Sequence, residues 1–247
     1  MYAVYDHKRK RKVALKALEK QDKPTLELDI LKQLKHPRIV KLHGHFMFRG
    51  FRFFTTELLS NHLFRLLQQR KFFSLALLHR IAVQVLEALA FMQRVGVMHC
   101  DIKPENIVLK RGKSSEVKLI DFGVARYIGT HTDPYIQSRF YRAPEVMLGL
   151  PYSSPVDMWS FGCLVCELLT GKPVFEGETD AQMLSQIAEV LGPPPAGVFP
   201  PGELDAAVAS CTLESRLYEP AAGLTDLVTS KWLHRVFAMG PEPATDA

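Results

Sequence analysis

The hydrophobic pattern of the chain changes near residue 60, and this change limits the folds that it can adopt. Before this point the sequence contains four short runs typical of β-strands and one amphipathic helix. The predicted strands are Tyr2–Tyr5, Lys12–Leu18, Ile39–Phe48 and Arg52–Glu57, and the predicted helix is Thr25–Leu34. The first sixty residues are therefore expected to form a small β-rich unit.

After residue 60 the apolar residues recur at helical spacing. The predicted helices are Leu63–Gln69, Leu75–Gln93, Pro155–Thr170 and Ala181–Leu191. We therefore predict an α+β fold of two lobes. A small β-rich N-terminal lobe would span residues 1–59, a larger helical C-terminal lobe residues 60–239, and a disordered tail residues 240–247.

Composition is typical of an intracellular globular protein. A chain of 247 residues that is 47% hydrophobic can bury a core without disulfides or metals. The four cysteines are too scattered for a secreted disulfide framework. Cys163 and Cys166 form a C-x-x-C pair, but their apolar helical surroundings favour buried core residues over a redox or zinc site. We find no secretory signal pattern, and we expect a cytoplasmic or nuclear protein, or both.

The net charge of the chain is mildly positive, at +5, and by itself it does not identify a binding partner. The 31 Lys and Arg residues outnumber the 26 Asp and Glu residues, and much of the excess lies in the run His7–Lys12. A solvated turn explains this run better than a nucleic-acid site, because a strand-like segment follows at once. Polar residues interrupt the most apolar stretch, Leu75–Met92, which favours a buried helix over a membrane span. We expect neither nucleic acid nor a membrane as partner.

Four short segments carry the chemistry of the chain. In order they are VALK at 13–16, HCDIKPEN at 99–106, DFG at 121–123 and APE at 143–145. Each is weak evidence alone, but the order and spacing of all four resemble the eukaryotic protein kinases. The resemblance implies a bilobal kinase fold, ATP and Mg²⁺ as cofactors, and protein substrates.

The resemblance also implies roles for four residues of the phosphoryl-transfer site. This reaction needs mainly positioning and charge neutralisation from the protein. Asp101 would accept the proton of the substrate hydroxyl, and Lys103 would balance charge on the transferred phosphoryl group. Asn106 and Asp121 would be the metal ligands, since their oxygens are of the kind that Mg²⁺ prefers.

A second set of residues is implied for ATP binding. Lys16 would hold the α- and β-phosphates and be oriented by Glu27, for which a solvated helix charge is the alternative. The implied contacts with the adenine base are Ala14 and Val108 against the ring, Thr56 at the gatekeeper position, and the backbone of Glu57 and Leu59. Leu31, Leu42, His99 and Phe122 would stack into an internal apolar spine.

Two longer stretches narrow the resemblance. HCDIKPENIVL at 99–109 and YIQSRFYRAPEVMLG at 135–149 resemble the dual-specificity tyrosine-regulated kinases and the homeodomain-interacting kinases of the CMGC group. Cys100 stands where most kinases have an arginine, so a loop phosphate cannot dock beside Asp101 in the usual way. The resemblance implies autophosphorylation of Tyr135 instead, with Arg139 and Arg142 as a clamp for the phosphate.

Other positions around this loop have implied roles or alternatives. Ordinary surface ion pairs are the alternative for Arg139 and Arg142. Ser138 would hydrogen-bond Asp101 and shape the substrate site. Asp157 would hold the catalytic loop through backbone hydrogen bonds.

The chain also departs from the kinase pattern. Aligned from Lys16, Met1 falls just after the glycine-rich loop. We therefore expect weak ATP binding, with two alternatives open: the chain is a fragment or misplaced-start product, or the protein has lost this loop. Residues 217–233 resemble a degenerate form of the closing motif, in which Gly223 replaces an arginine that pairs with Glu145. We therefore expect Glu145 to be unpaired or more hydrated, unless Arg216 or Arg235 contacts it.

Two functions are therefore compatible with the sequence. The first is a protein kinase that phosphorylates Ser and Thr of proteins and its own Tyr135. The alternative is a non-catalytic or truncated kinase-fold module that serves protein interaction. The sequence pattern indicates neither the physiological substrate nor the oligomeric state.

Overall fold

The computed structural model describes residues 1–18, 26–130, 133 and 135–192. Residues 1–176 form one compact unit, and residues 177–247 form a second. The predicted boundary near residue 60 lies inside the first unit, where strands give way to helices. The predicted tail and the predicted closing motif at 217–233 lie outside the described residues.

The first unit begins with a four-stranded antiparallel sheet. Its strands are β1 (Tyr2–Asp6), β2 (Arg11–Ala17), β3 (Leu42–Phe48) and β4 (Phe51–Glu57). They lie in the order β1-β2-β4-β3, and helix α1 (Leu26–Gln33) connects the second strand to the third. The basic run at 7–12 covers the turn between β1 and β2 and the first residues of β2, as predicted.

The third strand begins three residues later than the sequence predicts. Ile39 forms a parallel bridge with Leu119, and the N–H of Val40 donates to the carbonyl of Leu119 at 2.9 Å. These residues therefore pair with a strand far along the chain before the four-stranded sheet begins. The sequence shows only a continuous apolar run, in which this change of partner is invisible.

Five of the six described α-helices begin and end within one residue of the predicted bounds, and the short helix at Pro144–Met147 was not predicted. In the first unit they are α2 (Leu63–Arg70), α3 (Leu75–Arg94), α4 (Pro144–Met147) and α5 (Pro155–Thr170). The second unit contributes α6 (Asp180–Leu191) among its described residues. Helix α5 ends at Gly171, whose φ of 84° favours glycine, and a Cβ there would lie 2.0 Å from the carbonyl oxygen of Lys71.

Helix α3 is the one described helix that is long and apolar enough to cross a bilayer. In the folded chain it packs against α5 and two short strands, at Val97–Met98 and Val117–Leu119. Its buried apolar residues include Leu78, Ile81, Val85, Leu89 and Met92. The apolar residues of α3 therefore pack in the protein core.

Four short strands that the sequence did not predict position the chemistry-bearing segments. Strand β5 (Val97–Met98) pairs with β8 (Arg126–Tyr127), and β6 (Ile107–Leu109) pairs with β7 (Val117–Leu119). Runs of two or three residues are too short to show a period in the sequence. The segment 99–106 lies between β5 and β6, and residue 121 follows β7 closely.

The C-x-x-C pair lies in the core of helix α5. Cys163 is buried, Cys166 is half-buried, and neither forms a disulfide. Burial raises the pKa of both thiols, which disfavours the thiolate that redox and metal chemistry require. Among the described residues there is no group of three His, Cys, Asp or Glu side chains that could hold a metal.

Replacing Phe161 by alanine tests the helical core. Its ring on α5 is 1% exposed, so Phe161→Ala should lower the free energy of unfolding by about 3–5 kcal/mol. Phe72→Ala is the matched control, because that ring is 61% exposed and its removal leaves no cavity. Urea denaturation followed by circular dichroism measures both. Equal losses for the two variants would contradict this description of the core.

Candidate active site

Three charged side chains from distant parts of the sequence meet beside the sheet. Lys16 on β2 donates to Glu27 Oε1 on α1 at 2.6 Å and to Asp121 Oδ1 at 2.8 Å. Helix α1 thus places Glu27 where the sequence predicted an ion pair, and the alternative of a solvated helix charge is wrong: the residue is 7% exposed. The arrangement leaves one ammonium group between two carboxylates.

The electrostatics of this trio follow from partial burial. Burial opposes the charged form of Lys16, but the charges of Glu27 and Asp121 outweigh it and raise the Lys16 pKa. Burial raises the pKa of Glu27 despite the nearby ammonium group. The pKa of Asp121 is lowered, because hydrogen bonding and attraction to Lys16 outweigh its burial. A charged lysine beside an ionised carboxylate suits the binding of polyphosphate and a cation.

The predicted base-binding residues line a single cavity of about 210 Å³. Pairing of β2 with β4 sets Ala14 opposite Thr56, and Val108 on β6 also lines the cavity. The cavity is also lined by Glu57, Leu59, Val40, Leu58, His62 and Ile120, of which the last four were not predicted. Its lining is mostly apolar, as a site for a flat heteroaromatic ring requires.

The segment that follows β4 is held by its own hydrogen bonds. The Glu57 carboxylate accepts from Lys118 Nζ at 2.6 Å and from the Lys41 N–H at 2.7 Å. The Glu57 N–H donates to the Lys41 carbonyl, so it is already occupied. Within the described residues the Leu59 N–H has no hydrogen-bond acceptor. This N–H is therefore available to donate a hydrogen bond to a ligand.

Asp101 is the centre of a compact hydrogen-bond network. Its Oδ1 accepts from Ser138 Oγ at 2.7 Å, and its Oδ2 accepts from Asn106 Nδ2 at 2.8 Å and lies 2.9 Å from Lys103 Nζ. Lys103 Nζ also donates to Ser138 Oγ at 2.7 Å. Asp101 thus contacts each of the other three predicted residues. Burial alone would raise the Asp101 pKa, but hydrogen bonds from Lys103 and Ser138 outweigh it and lower the pKa.

A buried carboxylate holds the loop that carries Asp101 through hydrogen bonds to its backbone. Asp157, near the start of α5, accepts from the N–H of His99 at 2.7 Å and from the N–H of Cys100 at 2.9 Å. Cys100 has φ 63°, a left-handed conformation that this pair of hydrogen bonds stabilises. The His99 ring packs on Phe122 with centroids 4.9 Å apart. The catalytic loop and the DFG segment are therefore held together.

Two oxygen-bearing side chains are available for a divalent cation. Ile107 pairs with Leu119, and the Ile120 N–H donates to the Asn106 carbonyl, so Asn106 lies across the ladder from residue 120 and close to Asp121. One carboxylate and one amide suit Mg²⁺, which takes few protein ligands and completes its shell with substrate phosphates and water. The residues present therefore fit such an ion.

Tyr135 lies beside both predicted clamp residues. The Arg142 guanidinium carbon is 3.8 Å from the centroid of the Tyr135 ring, and the ring itself is 61% exposed. Hydrogen bonding from Arg142, and then from Arg139, lowers the Tyr135 pKa. Arg142 is 1% exposed and donates to the carbonyls of Ile136 and Gln137, both at 2.9 Å. Because Arg142 is buried and anchored by backbone carbonyls, the alternative that it forms an ordinary surface ion pair is wrong.

Gln137 is a buried residue that holds this loop, and the sequence reasoning missed it. Its amide donates to the Val156 carbonyl at 2.8 Å and to Ser160 Oγ at 2.7 Å, and its oxygen accepts from the Ala143 N–H at 3.0 Å. The residue is buried with φ 65°. In the sequence, only the polar character of this residue could have pointed to its role. Through these hydrogen bonds Gln137 fixes the backbone between Tyr135 and Ser138.

A second missed feature is a cavity of about 590 Å³ beside Lys103 and Ser138. Glu105 and Glu167 both line it, and Glu105 Oε2 is buried without a hydrogen-bond partner. Burial raises the Glu167 pKa to about 7, and the nearby charge of Glu105 acts in the same direction. Glu167 also accepts a hydrogen bond from the Tyr141 hydroxyl. Among the described residues neither Glu105 nor Glu167 forms an ion pair, although Lys103 and Arg139 also line the cavity.

Two predicted departures can be followed into the described residues. Cys100 is fully buried and burial strongly raises its thiol pKa, so it is a neutral packing residue. Glu145 is half-buried and has no ion-pair partner among the described residues. Gly223, Arg216 and Arg235 lie outside the described range, so the prediction about its missing partner stays a prediction.

The fold and this constellation agree with a comparison to known families. The protein kinase domain model matches residues 1–196. The chain therefore belongs to the protein kinase domain family, which implies the use of ATP with a divalent metal ion.

Individual relatives narrow the group. Serine/threonine-protein kinase ppk5 of Schizosaccharomyces pombe is 41% identical over 206 residues, which are 78% of this chain and 25% of that protein. Human dual specificity tyrosine-phosphorylation-regulated kinase 4 is 42% identical over 204 residues, 78% of this chain and 39% of that protein. Kinase 3 of the same series from Macaca fascicularis is 41% identical over 204 residues, 36% of its length. The predicted resemblance to these kinases is confirmed, and the chain spans about a quarter to two fifths of their lengths.

The environment of Tyr135 predicts a measurable shift in its ionisation. In protein labelled with ¹³Cζ-tyrosine, the Tyr135 phenol should titrate below its ordinary pKa, because two guanidinium groups favour the phenolate. Arg139→Ala should move this pKa upward, since it removes one donor from an exposed site. Arg111→Ala, at a surface arginine of a turn, is the control. A Tyr135 pKa that ignores Arg139→Ala would contradict the clamp geometry.

Proposed function

We propose that the chain is a protein kinase that transfers the γ-phosphoryl group of ATP to Ser and Thr hydroxyls of protein substrates. The observation that carries the proposal is the contact network of Asp101, Lys103, Ser138 and Asn106. It gives one ionised carboxylate a fixed orientation beside a lysine and a hydroxyl group. That is the arrangement a proton acceptor for an incoming alcohol needs.

Each residue of the site has a defined task in this proposal. The cavity lined by Ala14, Thr56 and Val108 receives the adenine base, with the Leu59 N–H as a donor to it. Lys16, oriented by Glu27, holds the α- and β-phosphates through its ammonium group. Positioning of this kind converts binding energy into correct alignment of the reacting groups.

The transfer step itself uses the loop residues. Asp101 accepts the proton of the substrate hydroxyl, since its lowered pKa keeps it ionised at neutral pH. Lys103 balances the charge of the moving phosphoryl group, and Ser138 keeps both side chains aligned. A divalent ion, which we propose is Mg²⁺ held by Asp121 and Asn106, would neutralise charge on the phosphate oxygens.

We also propose that Tyr135 is phosphorylated by the chain on itself. A phosphate adds nearly two negative charges and three strong acceptors. Arg142 is already anchored by backbone carbonyls, and the exposed Arg139 already donates to the Tyr135 hydroxyl. The modification would therefore strengthen contacts that the loop already makes. The alternative is a non-catalytic interaction module, and the experiment below distinguishes the two.

Autophosphorylation is tested by expressing the chain in bacteria and mapping phosphate by tandem mass spectrometry. The expected result is phosphotyrosine at position 135 in the wild-type chain and none in Asp121→Ala, which loses a metal ligand. Asp29→Ala, a half-exposed carboxylate of α1, is the matched control and should keep the modification. An unmodified Tyr135 in a wild-type chain that melts cooperatively would favour the non-catalytic alternative.

The carboxylate cavity supports a preference for basic substrates. Glu105 has a buried oxygen without a partner, and Glu167 is 2% exposed, so a cation entering the cavity would relieve two unfavourable burials. The cavity also contains Lys103 and Ser138, which places it next to the acceptor hydroxyl. We propose that it binds an arginine or lysine of the substrate close to the phosphorylated residue.

This preference should depend on pH in a defined direction. The cation requires ionised Glu167, whose pKa is raised to about 7. The KM of an arginine-containing peptide should therefore rise up to about tenfold between pH 8 and pH 6, as the ionised fraction falls by that factor. A peptide with norleucine in place of arginine is the control and should show no such rise. Glu167→Gln should remove the difference between the two peptides, and a difference that persists in this variant would contradict the assignment.

A further inference from the structure

The hairpin of β3 and β4 exposes an unusual group of aromatic rings. Phe46 is 47% exposed, Phe48 is 56% exposed and Phe51 is 42% exposed, and Phe53 is half-buried. Isolated exposed apolar residues are ordinary on protein surfaces, but contiguous ones commonly mark an interaction site. Here the exposed rings belong to one turn and its two flanking strands.

The register of the hairpin places all four rings on one face of the sheet. Phe46 lies opposite Phe53, and Phe48 lies opposite Phe51, and cross-strand partners point to the same side. The rings of Phe46 and Phe53 are stacked, with centroids 5.4 Å apart and an interplanar angle of 12°. We call these four residues the aromatic hairpin face.

The opposite side of the same strands is already used by the fold. Phe54 is 1% exposed and lies opposite Lys16, and the next residue on that side, Thr56, lines the base cavity. The aromatic hairpin face therefore points away from the candidate active site. No side chain of the described residues covers it, and its exposure has no role in the chemistry proposed above.

Arginine side chains lie at both ends of strand β3, next to the aromatic hairpin face. The Arg49 guanidinium carbon is 5.3 Å from the centroid of the Phe48 ring, at the tip of the hairpin. From the β1–β2 turn, Arg11 Nη2 lies 3.1 Å from His43 Nε2, and Arg9, which is paired with Asp6 at 2.9 Å, donates to the His43 carbonyl at 2.7 Å. These contacts bring part of the basic run to the other end of β3.

The excess of positive charge is concentrated in the first 59 residues of the chain. Residues 1–59 contain 14 Lys and Arg against six Asp and Glu, whereas residues 60–247 contain 17 against 20. An apolar surface with a basic border attracts a partner that is apolar and acidic. Aromatic and arginine side chains are also the types that contribute most to protein interfaces.

We propose that the aromatic hairpin face is a docking site for an acidic protein segment that carries apolar side chains. The apolar side chains of the segment would cover Phe46, Phe48 and Phe51, and its carboxylates would lie near Arg49 and the basic turn. Such a partner binds away from the nucleotide cavity. The site can therefore recruit a substrate or regulator without blocking phosphoryl transfer.

A displayed peptide library tests the chemistry of the partner without prior choice of sequence. Random 12-residue peptides on phage are selected on the wild-type chain, after depletion on the double variant Phe46→Ser/Phe48→Ser. The selected peptides should be enriched in Asp and Glu together with Leu, Ile or Phe. No enrichment, or enrichment in basic peptides, would overturn the proposal.

The leading peptide is then synthesised with a fluorescent label and measured by anisotropy. Phe46→Ser/Phe48→Ser should weaken its binding at least tenfold, and rising salt should weaken binding to the wild-type chain. Met47→Ser is the matched control, because Met47 is 58% exposed on the same strand but on the opposite face, and it should bind as wild type. Cooperative melting of each variant checks that it is folded.

Two further measurements test other occupants of the same face. Sedimentation velocity reports self-association, and co-sedimentation with vesicles of phosphatidylcholine and phosphatidylserine reports membrane binding. Dimer formation or vesicle binding that disappears in Phe46→Ser/Phe48→Ser, without peptide binding, would replace the proposed partner. None of these measurements depends on kinase activity, so their outcome is independent of the proposed function.

Discussion

The ammonium group of Lys16 joins the parts of the chain on which the candidate site depends. It is bonded to Glu27 of helix α1 and to Asp121 of the DFG segment, so it connects the sheet, the helix and the loop after β7. Glu27 is buried and Lys16 is partly buried, so each of these two charges would be costly there without the other, whereas Asp121 remains exposed to solvent. Loss of any one charge would therefore affect the position of the other two. The same contact leaves an ammonium group and a carboxylate beside the base cavity, where a polyphosphate and its cation need them.

The loops of the site are held by buried polar groups that have their full set of partners. Asp157 fixes the catalytic loop through two backbone N–H groups, and Gln137 fixes the activation loop through three hydrogen bonds. Each set of hydrogen bonds includes a residue with a left-handed backbone conformation. For Asp157 this residue is Cys100, and for Gln137 it is Gln137 itself. A hydrogen bond of this kind is strong because the alternative is a buried unpaired group. The backbone positions next to Asp101 and Tyr135 are thus held by hydrogen bonds with Asp157 and Gln137.

Sequence pattern predicted much of the architecture and most of the site. The four strands of the sheet and the long helices have enough residues to show a period of two or of 3.6, and α5 matched residue by residue. The late start of β3 and the four short strands were not predictable, because pairing with a distant strand leaves no local signal. The residues expected to be catalytic were identified from motif order, and the structure places them around Asp101. Gln137, Glu105 and Glu167 were missed, because their roles depend on burial and on which polar groups surround them.

The sequence by itself determined which chemical groups the chain possesses, their order, and the class of fold. Local periodicity and motif spacing are properties of neighbouring residues, so they can be read without coordinates. Only the tertiary structure decided which of these groups meet. It brought Lys16 to Asp121 across 105 residues, left one oxygen of Glu105 without a partner, and turned four phenylalanines outward while burying a fifth. Such outcomes depend on packing between distant segments and on exclusion of water, and neither is encoded in any short stretch of the chain.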